Sequence, residues 1–247
     1  MPAGIDACLF DLDGVLTQTD VVHAAAWQEM FDAFLRRRAT RTGQPYVPFD
    51  LVSDYGRYVD GKPRADGARS FLASRGIDLP EGSDDDDTGA ETVHGLGNRK
   101  NSILLRKIAD EGAVAYPGSV RYVHDVVAAG LGRAVVSASA NCRAVLAGAA
   151  LIDYFPVVVD AAVADNGKLR GKPAPDTYLA AARMLDVSPA AAAVFEDAQA
   201  GVAAGRAGGF GWVVGVDRMD SMGQADALRR EGADVVVRDL SELLDGA

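Results

Sequence analysis

The sequence has no run of roughly 18 apolar residues, the length a helix needs to span a bilayer, and no basic stretch leading into an apolar one near its start. Neither a membrane span nor an export leader is expected, and the cytoplasm is the expected location. Cysteine is scarce: among 247 residues only Cys8 and Cys142 occur, in separate apolar-flanked stretches with no CxxC spacing. That supports neither a disulfide framework nor a zinc site, and both are read as buried reduced thiols. Positive charge is in deficit, with 25 Lys and Arg against 35 Asp and Glu and a formal net charge of −10. Broad attraction to nucleic acid or to an anionic membrane is disfavoured, so an anionic ligand needs cations gathered locally. Patterns for other chemistries are missing as well: there is no GxxxxGK(S/T), no GxGxxG after a strand, no HExxH and no GxSxG. His94 and His124 are read as having no nearby metal-type partner.

What is present is a globular composition, 49% hydrophobic and 24% charged, in a chain long enough for one large domain or a core with an insertion. Short apolar runs recur at Ala7 to Phe10, Ala134 to Val136, Val157 to Val159, Ala192 to Phe195, Trp212 to Val214 and Asp234 to Val237. Each is too short for a helix and is bounded by polar residues or Gly, as buried parallel strands are. Ala- and Leu-rich stretches at Val120 to Ala129, Arg143 to Ala149, Thr177 to Leu185 and Gln199 to Ala207 suit crossover helices. The expected fold is α/β, a doubly wound, Rossmann-like parallel sheet.

The alternation breaks between the first run and the second, where helical segments at His23 to Leu35, Gly67 to Arg75 and Arg99 to Ala109 appear without strands. Residues 18–112 are therefore expected to form an inserted α-helical cap, with 1–17 and 113–247 forming the core. Within the cap, Asp84 to Asp87 is a low-complexity acidic run. Asp84, Asp86, Thr88 and Gly89 sit at the first positions of a calcium loop, but the closing position holds Gly95 rather than Glu, and a solvated loop is the preferred reading.

The chemistry concentrates at strand ends. Phe10-Asp11-Leu12-Asp13-Gly14 follows the first apolar run, which places two carboxylates at the carboxyl edge of a parallel strand, where open α/β sheets bind ligands. A spacing of two keeps them on one side while the chain stays extended. Their repulsion is relieved by a hard cation such as Mg²⁺ or by a retained proton; a polar turn at Asp13-Gly14 is the bland alternative. Glu196-Asp197 repeats the arrangement after Ala192 to Phe195, with N-capping by Asp197 as its alternative. Positive charge enters at Lys172, held in place at a loop where Pro173 and Pro175 keep the backbone extended ahead of a helix starting near Pro175, with an ordinary surface lysine as the alternative. Val136-Ser137-Ala138-Ser139-Ala140-Asn141 carries a strand end into a helix start, a turn able to point N–H and O–H groups at an anion or simply to cap the helix.

Asp11-Leu12-Asp13-Gly14, then Ser137, then Lys172, then Glu196-Asp197, together with a helical cap inserted after the first of them, resemble the haloacid dehalogenase-like superfamily over essentially the whole chain. The resemblance implies that Asp11 is the nucleophile that becomes phosphorylated and Asp13 the general acid and base. It implies Mg²⁺ held by Asp11, the backbone carbonyl of Asp13, Glu196 and Asp197, with Lys172 and Ser137 neutralising and orienting the phosphoryl group.

The cap is most similar to the β-phosphoglucomutase branch of that superfamily, which interconverts β-glucose 1-phosphate and glucose 6-phosphate through a bisphosphate. That likeness implies a small sugar phosphate as substrate and glucose 1,6-bisphosphate as activating phosphoryl donor. It assigns substrate or phosphate contacts to Gly14, His23, Trp27, Arg64, Lys100, Asn101, Ser137, Ala138, Ser139, Asn141 and Lys172. Arg64 is implied to grip the phosphate not being transferred, with a salt-bridged surface arginine as the alternative. Ala140 stands where some members carry Lys, and the stretch Thr40 to Tyr58 lengthens the cap. No nucleic-acid or membrane partner is expected; a monomer is, with a homodimer as the alternative. A sugar-phosphate phosphatase on the same scaffold is the second reading. A phosphoacceptor module without turnover is disfavoured by Asp13 and the large cap, and carbon–halogen hydrolysis by the surplus of carboxylates.

Overall fold

The structure is a computed structural model that describes residues 1–218 and 223–244; the expected core range also includes residues 219–222 and 245–247, which lie outside the described residues. The chain divides into two compact units, Met1–Gln18 with Ala113–Ala247, and Thr19–Gly112. In chain order the elements are β1 (Ala7–Phe10), α1 (Asp20–Thr42), a π-helical turn (Tyr55–Val59), α2 (Arg64–Ser74), α3 (Val93–Glu111), α4 (Pro117–Ala128), β2 (Gly132–Val136), α5 (Cys142–Gly148), β3 (Val157–Val159), α6 (Ala161–Asn166), α7 (Asp176–Met184), β4 (Ala192–Glu196), α8 (Gln199–Ala207), β5 (Trp212–Val216), α9 (Gln224–Glu231) and β6 (Val235–Val237). No helix among the described residues is long and apolar enough to cross a membrane.

The first unit is a six-stranded parallel sheet in the order β3-β2-β1-β4-β5-β6. Every residue of β1 and β4 is buried, which is why these strands read as unbroken apolar runs rather than alternating ones. Alternation survives as a choice of face. Leu9 and Val194 join Tyr178 and Ala181 of α7, Val202 of α8 and Leu228 of α9 in one core cluster. Phe10 turns the other way, stacked on Phe195 at 4.6 Å and edge-on to Tyr122 of α4 at 6.2 Å. The strand order reverses between β1 and β4, and in such sheets ligands bind beyond the carboxyl ends of the strands at that reversal.

The second unit is helical, around a core of Ala26, Trp27, Met30, Phe31, Phe34, Phe49, Phe71 and Leu96 with their neighbours. Helix α1 outruns its expected end at Leu35, because Arg36 to Thr42 have adequate helix propensity without an apolar stripe; it stops where Gly43 turns left-handed at φ 71° and donates to Ala39 O. Helix α3 begins at Val93, earlier than the expected Arg99, because the Thr92 hydroxyl accepts from Gly95 N at 2.9 Å and caps it. Strand β6 starts at Val235 rather than Asp234, whose carboxylate instead accepts from Val213 N at 2.8 Å.

Candidate active site

The carboxyl ends of β1 and β4 are hydrogen-bonded neighbours, and Asp11 N donates to Phe195 O at 2.9 Å. Asp11 and Glu196 are thus fixed by the sheet ladder itself, at the point where the strand order reverses. Beyond Asp11 the chain winds into a tight turn: Leu16 N and Thr17 N both donate to Leu12 O at 2.9 Å, and Gly14 N donates to Thr17 O at 2.8 Å. Gly14 has φ +82°, and a Cβ on it would run into the Asp197 carboxylate, so glycine is required there on two counts.

Lys172 is the cation of the site. It is 3% exposed, and each of its three N–H bonds has an acceptor: Asp11 Oδ1 at 2.5 Å, Val136 O at 3.0 Å and Glu196 Oε1 at 2.5 Å. The surface-lysine alternative is therefore corrected. Burial alone would lower its pKa, but the Asp11 and Glu196 carboxylates outweigh burial and raise it, so the ammonium stays charged. Asp11, 7% exposed, is pushed well above the ordinary carboxylate range, first by burial and then by Glu196 and Asp13, with Lys172 opposing. One ammonium does not balance the carboxylates gathered around it.

Glu196 is fully buried, and three donors meet its carboxylate. Tyr178 Oη donates to its Oε1 at 2.9 Å and Ala198 N to its Oε2 at 3.1 Å, while the Lys172 ammonium lies 5.0 Å from the centre of the Tyr178 ring. The N-cap position of α8 is held by Ala198, one residue beyond Asp197. Asp197 reaches toward Asp11. Asp11, Glu196 and Asp197 each offer an oxygen, and these lie within 4.8 Å of one another. A set of hard anionic oxygens carrying surplus negative charge fits a hard cation such as Mg²⁺. Gly201 on α8 leaves the room that the Glu196 carboxylate fills, since a Cβ there would meet that carboxylate. Gly201→Ala is expected to cost about 1–3 kcal/mol of stability through overpacking and to displace Glu196 from Lys172. Thermal denaturation checks the first effect, and an unchanged Tm would contradict it.

The loop after β2 begins at Ser137, which is buried and donates its N–H to Val159 O at 3.0 Å. Ser137 Oγ accepts from Ser139 N at 3.1 Å, and Ser139 Oγ accepts from Asn141 N at 3.2 Å, so each hydroxyl retains its own hydrogen to donate. Asn141 precedes α5 without a side-chain cap bond, which corrects the alternative of a simple Asn cap, and Ala138 lies between the two serines. Burial, then Asp13 and Asp11, push the thiol of Cys142 up, so these carboxylates are felt at the start of α5.

In the helical unit the expected residues gather in part. Lys100 of α3 is 4% exposed; its ammonium meets His23 Nδ1 at 3.0 Å and lies 5.2 Å from the centre of the Trp27 ring. A charged lysine only donates, so in that state His23 Nδ1 is the acceptor. Trp27 also stacks on Phe31 at 5.2 Å, which makes it a core residue as well. Arg64 opens α2 with its side chain against Gly97 of α3, and Asn101 follows Lys100 on α3. One reading is corrected: His94 has carboxylate neighbours, with Nδ1 2.8 Å from Asp84 Oδ1 and Nε2 3.5 Å from Glu81. The acidic run is tied to α3 by Asn98, whose amide donates to Asp84 O and Asp86 O at 2.9 Å, and Asp87 accepts from Gly89 N at 2.6 Å. His124 meets Tyr154 Oη at 3.0 Å.

A family model for haloacid dehalogenase-like hydrolases matches residues 5–209, and the chain belongs to that family. Within it, the chain is 57% identical over 244 residues to a β-phosphoglucomutase of Mycobacterium tuberculosis, covering 99% of this chain and 93% of the relative. A β-phosphoglucomutase of Bacillus subtilis is 33% identical over 239 residues, with 96% and 94% covered. Among solved structures, a β-phosphoglucomutase from Clostridium difficile superposes with a TM-score of 0.73 at 25% identity, over 97% of this chain and 93% of that one.

Proposed function

We propose that the chain is a Mg²⁺-dependent phosphotransferase that interconverts β-D-glucose 1-phosphate and D-glucose 6-phosphate. The observation that carries the choice of reaction is the 57% identity, over 99% of the chain, to a named β-phosphoglucomutase. The site at the ends of β1 and β4 supports the chemistry. Asp11, the backbone carbonyl of Asp13, Glu196 and Asp197 would hold the metal, which when bound supplies neutralisation of charge on the phosphoryl oxygens.

In this reading an Asp11 carboxylate oxygen attacks phosphorus, the bond from phosphorus to the leaving sugar oxygen breaks, and Asp13 delivers a proton to that oxygen. In the reverse sense Asp13 takes the proton from a sugar hydroxyl as that oxygen attacks the aspartyl phosphate. The phosphoryl group passes from Asp11 to O6 of β-glucose 1-phosphate, giving the 1,6-bisphosphate. Transfer from O1 back to Asp11 then leaves glucose 6-phosphate. Lys172, anchored by Glu196 and Val136 O, holds the attacking carboxylate and offsets charge beside it. Ser137, Ser139 and the backbone at Ala138 and Asn141 are assigned to the phosphoryl oxygens. His23, Trp27, Arg64, Lys100 and Asn101 are assigned to the sugar and its second phosphate, with glucose 1,6-bisphosphate as the priming donor. A cytoplasmic monomer completes the reading.

The test is turnover of β-glucose 1-phosphate with Mg²⁺ and a trace of glucose 1,6-bisphosphate, with the α-anomer as control. Glucose 6-phosphate from the β-anomer alone supports the mutase. Phosphate without isomerisation supports a phosphatase, a reading favoured by the 29% identity over 207 residues to a fructose-1-phosphate phosphatase of Escherichia coli. Arg64→Ala separates the two from the enzyme side: mutase turnover is expected to fall by about tenfold or more while hydrolysis of an activated monophosphate changes little. Equal losses would remove Arg64 from the second phosphate.

A further inference from the structure

We infer that Arg218, which follows β5 and is remote in sequence from every motif above, is a positioning residue for the Asp11–Asp13 turn. Its side chain is 9% exposed, and all five guanidinium N–H bonds have acceptors. Nε donates to Gly14 O at 3.0 Å. Nη2 donates to Val15 O and to Ser119 Oγ, both at 2.7 Å. Nη1 donates to Arg238 O at 3.2 Å and to Asp239 Oδ2 at 2.5 Å. Ser119 in turn donates to Val15 O at 2.6 Å, so that carbonyl accepts from two donors at once.

The guanidinium therefore grips two successive carbonyls immediately after Asp13. Its central carbon also lies over the Tyr116 ring, 3.8 Å from the ring centre, and Tyr116 N donates to Leu16 O at 2.9 Å. Thr17 bridges to Ala115, so Arg218 braces both strands of chain that join the sheet unit to the rest of the sequence. Asp239 is held in its turn by Ser241 N at 2.9 Å, and a Cβ at Gly118 would displace its carboxylate. These contacts hold the Gly14–Val15 backbone at a fixed place relative to β1, and with it the carbonyl and carboxylate of Asp13. Lysine cannot copy the arrangement, because a single ammonium does not present a planar fork to Gly14 O, Val15 O and Asp239 together.

This inference rests on the phosphotransferase reading, and its test separates the two. Phosphorylation of the protein by acetyl phosphate in Mg²⁺ is followed by mass spectrometry, which needs no sugar. Wild type compared with Asp11→Asn tests the reading: absence of label at Asp11 in wild type overturns the reading and this inference together. Arg218→Lys compared with wild type tests Arg218 alone. The expected result is a folded protein whose labelling at Asp11 is slower by about tenfold to 100-fold, with the acetyl phosphate concentration for half-maximal rate changed less than about threefold, the mark of misplacement rather than lost binding. Should Arg218→Lys fail to fold, Ser119→Ala, which removes one donor from Val15 O and one acceptor from Arg218, is expected to show the same split with a smaller loss of about threefold or more. Labelling at the wild-type rate by a folded Arg218→Lys, or by Ser119→Ala where only that variant folds, overturns the assignment.

Discussion

Asp11→Asn is expected to lower sugar-phosphate turnover by about 10⁴-fold or more and to abolish phosphoryl labelling of the protein. The amide nearly preserves shape, so the loss reports chemistry rather than packing. Asn cannot form the acyl phosphate, and its side chain presents the Lys172 ammonium with a neutral oxygen in place of Asp11 Oδ1. The variant is expected to remain folded, because Glu196 and Val136 O still accept from Lys172. Turnover and labelling, read side by side on purified protein, check the prediction; substantial residual turnover with normal labelling would show that another side chain receives the phosphoryl group.

The second large effect is on stability. Lys172→Met removes the one ammonium that Asp11 and Glu196 share in the interior, and breaking a buried ion pair from one side costs about 3–5 kcal/mol. The pH dependence follows from the direction of the Asp11 shift. Its carboxyl is held above the ordinary range by burial and by Glu196 and Asp13, with Lys172 pulling the other way. Without metal, the folded state therefore holds this proton more tightly than the unfolded chain does. The stability that proton contributes is present below the unfolded carboxylate pKa and is lost as pH rises through the raised folded value. Removing Lys172 takes away the opposing influence and widens that window upward. The deficit of Lys172→Met is thus expected to be largest at neutral pH and to shrink on acidification toward about pH 5. Urea unfolding of metal-free protein at several pH values checks this, and a deficit below about 1 kcal/mol, or one that does not change with pH, would contradict it.

The sheet was legible because buried parallel strands leave short apolar runs in the sequence, and Ala7 to Phe10 ends directly on Asp11. Placing Asp11 and Glu196-Asp197 at strand ends followed from the same local signal, and the ladder between β1 and β4 brings those ends side by side. Tyr178 was not legible as a donor to Glu196, since within α7 it reads as one more apolar position on a helix facing the sheet. Arg218 left less trace still: its bond to Gly14 O closes 204 residues, and an arginine in a polar stretch reads as surface until the fold buries it. The length of α1 was hidden for the opposite reason, because its last turns are exposed and carry no apolar stripe to betray a helix. His94 was misread because its partners Asp84 and Glu81 meet it through a loop whose course local periodicity does not encode.

The phosphoryl group on Asp11 is expected to go to a sugar hydroxyl rather than to water. The phosphorylated protein, freed of donor, is mixed with β-glucose 1-phosphate in a single turnover, and glucose 1,6-bisphosphate, glucose 6-phosphate and free phosphate are counted together. The sugar is expected to accelerate loss of the label from Asp11, with nearly all of it appearing in sugar phosphates. Release as free phosphate, at the same rate with and without the sugar, would contradict that expectation.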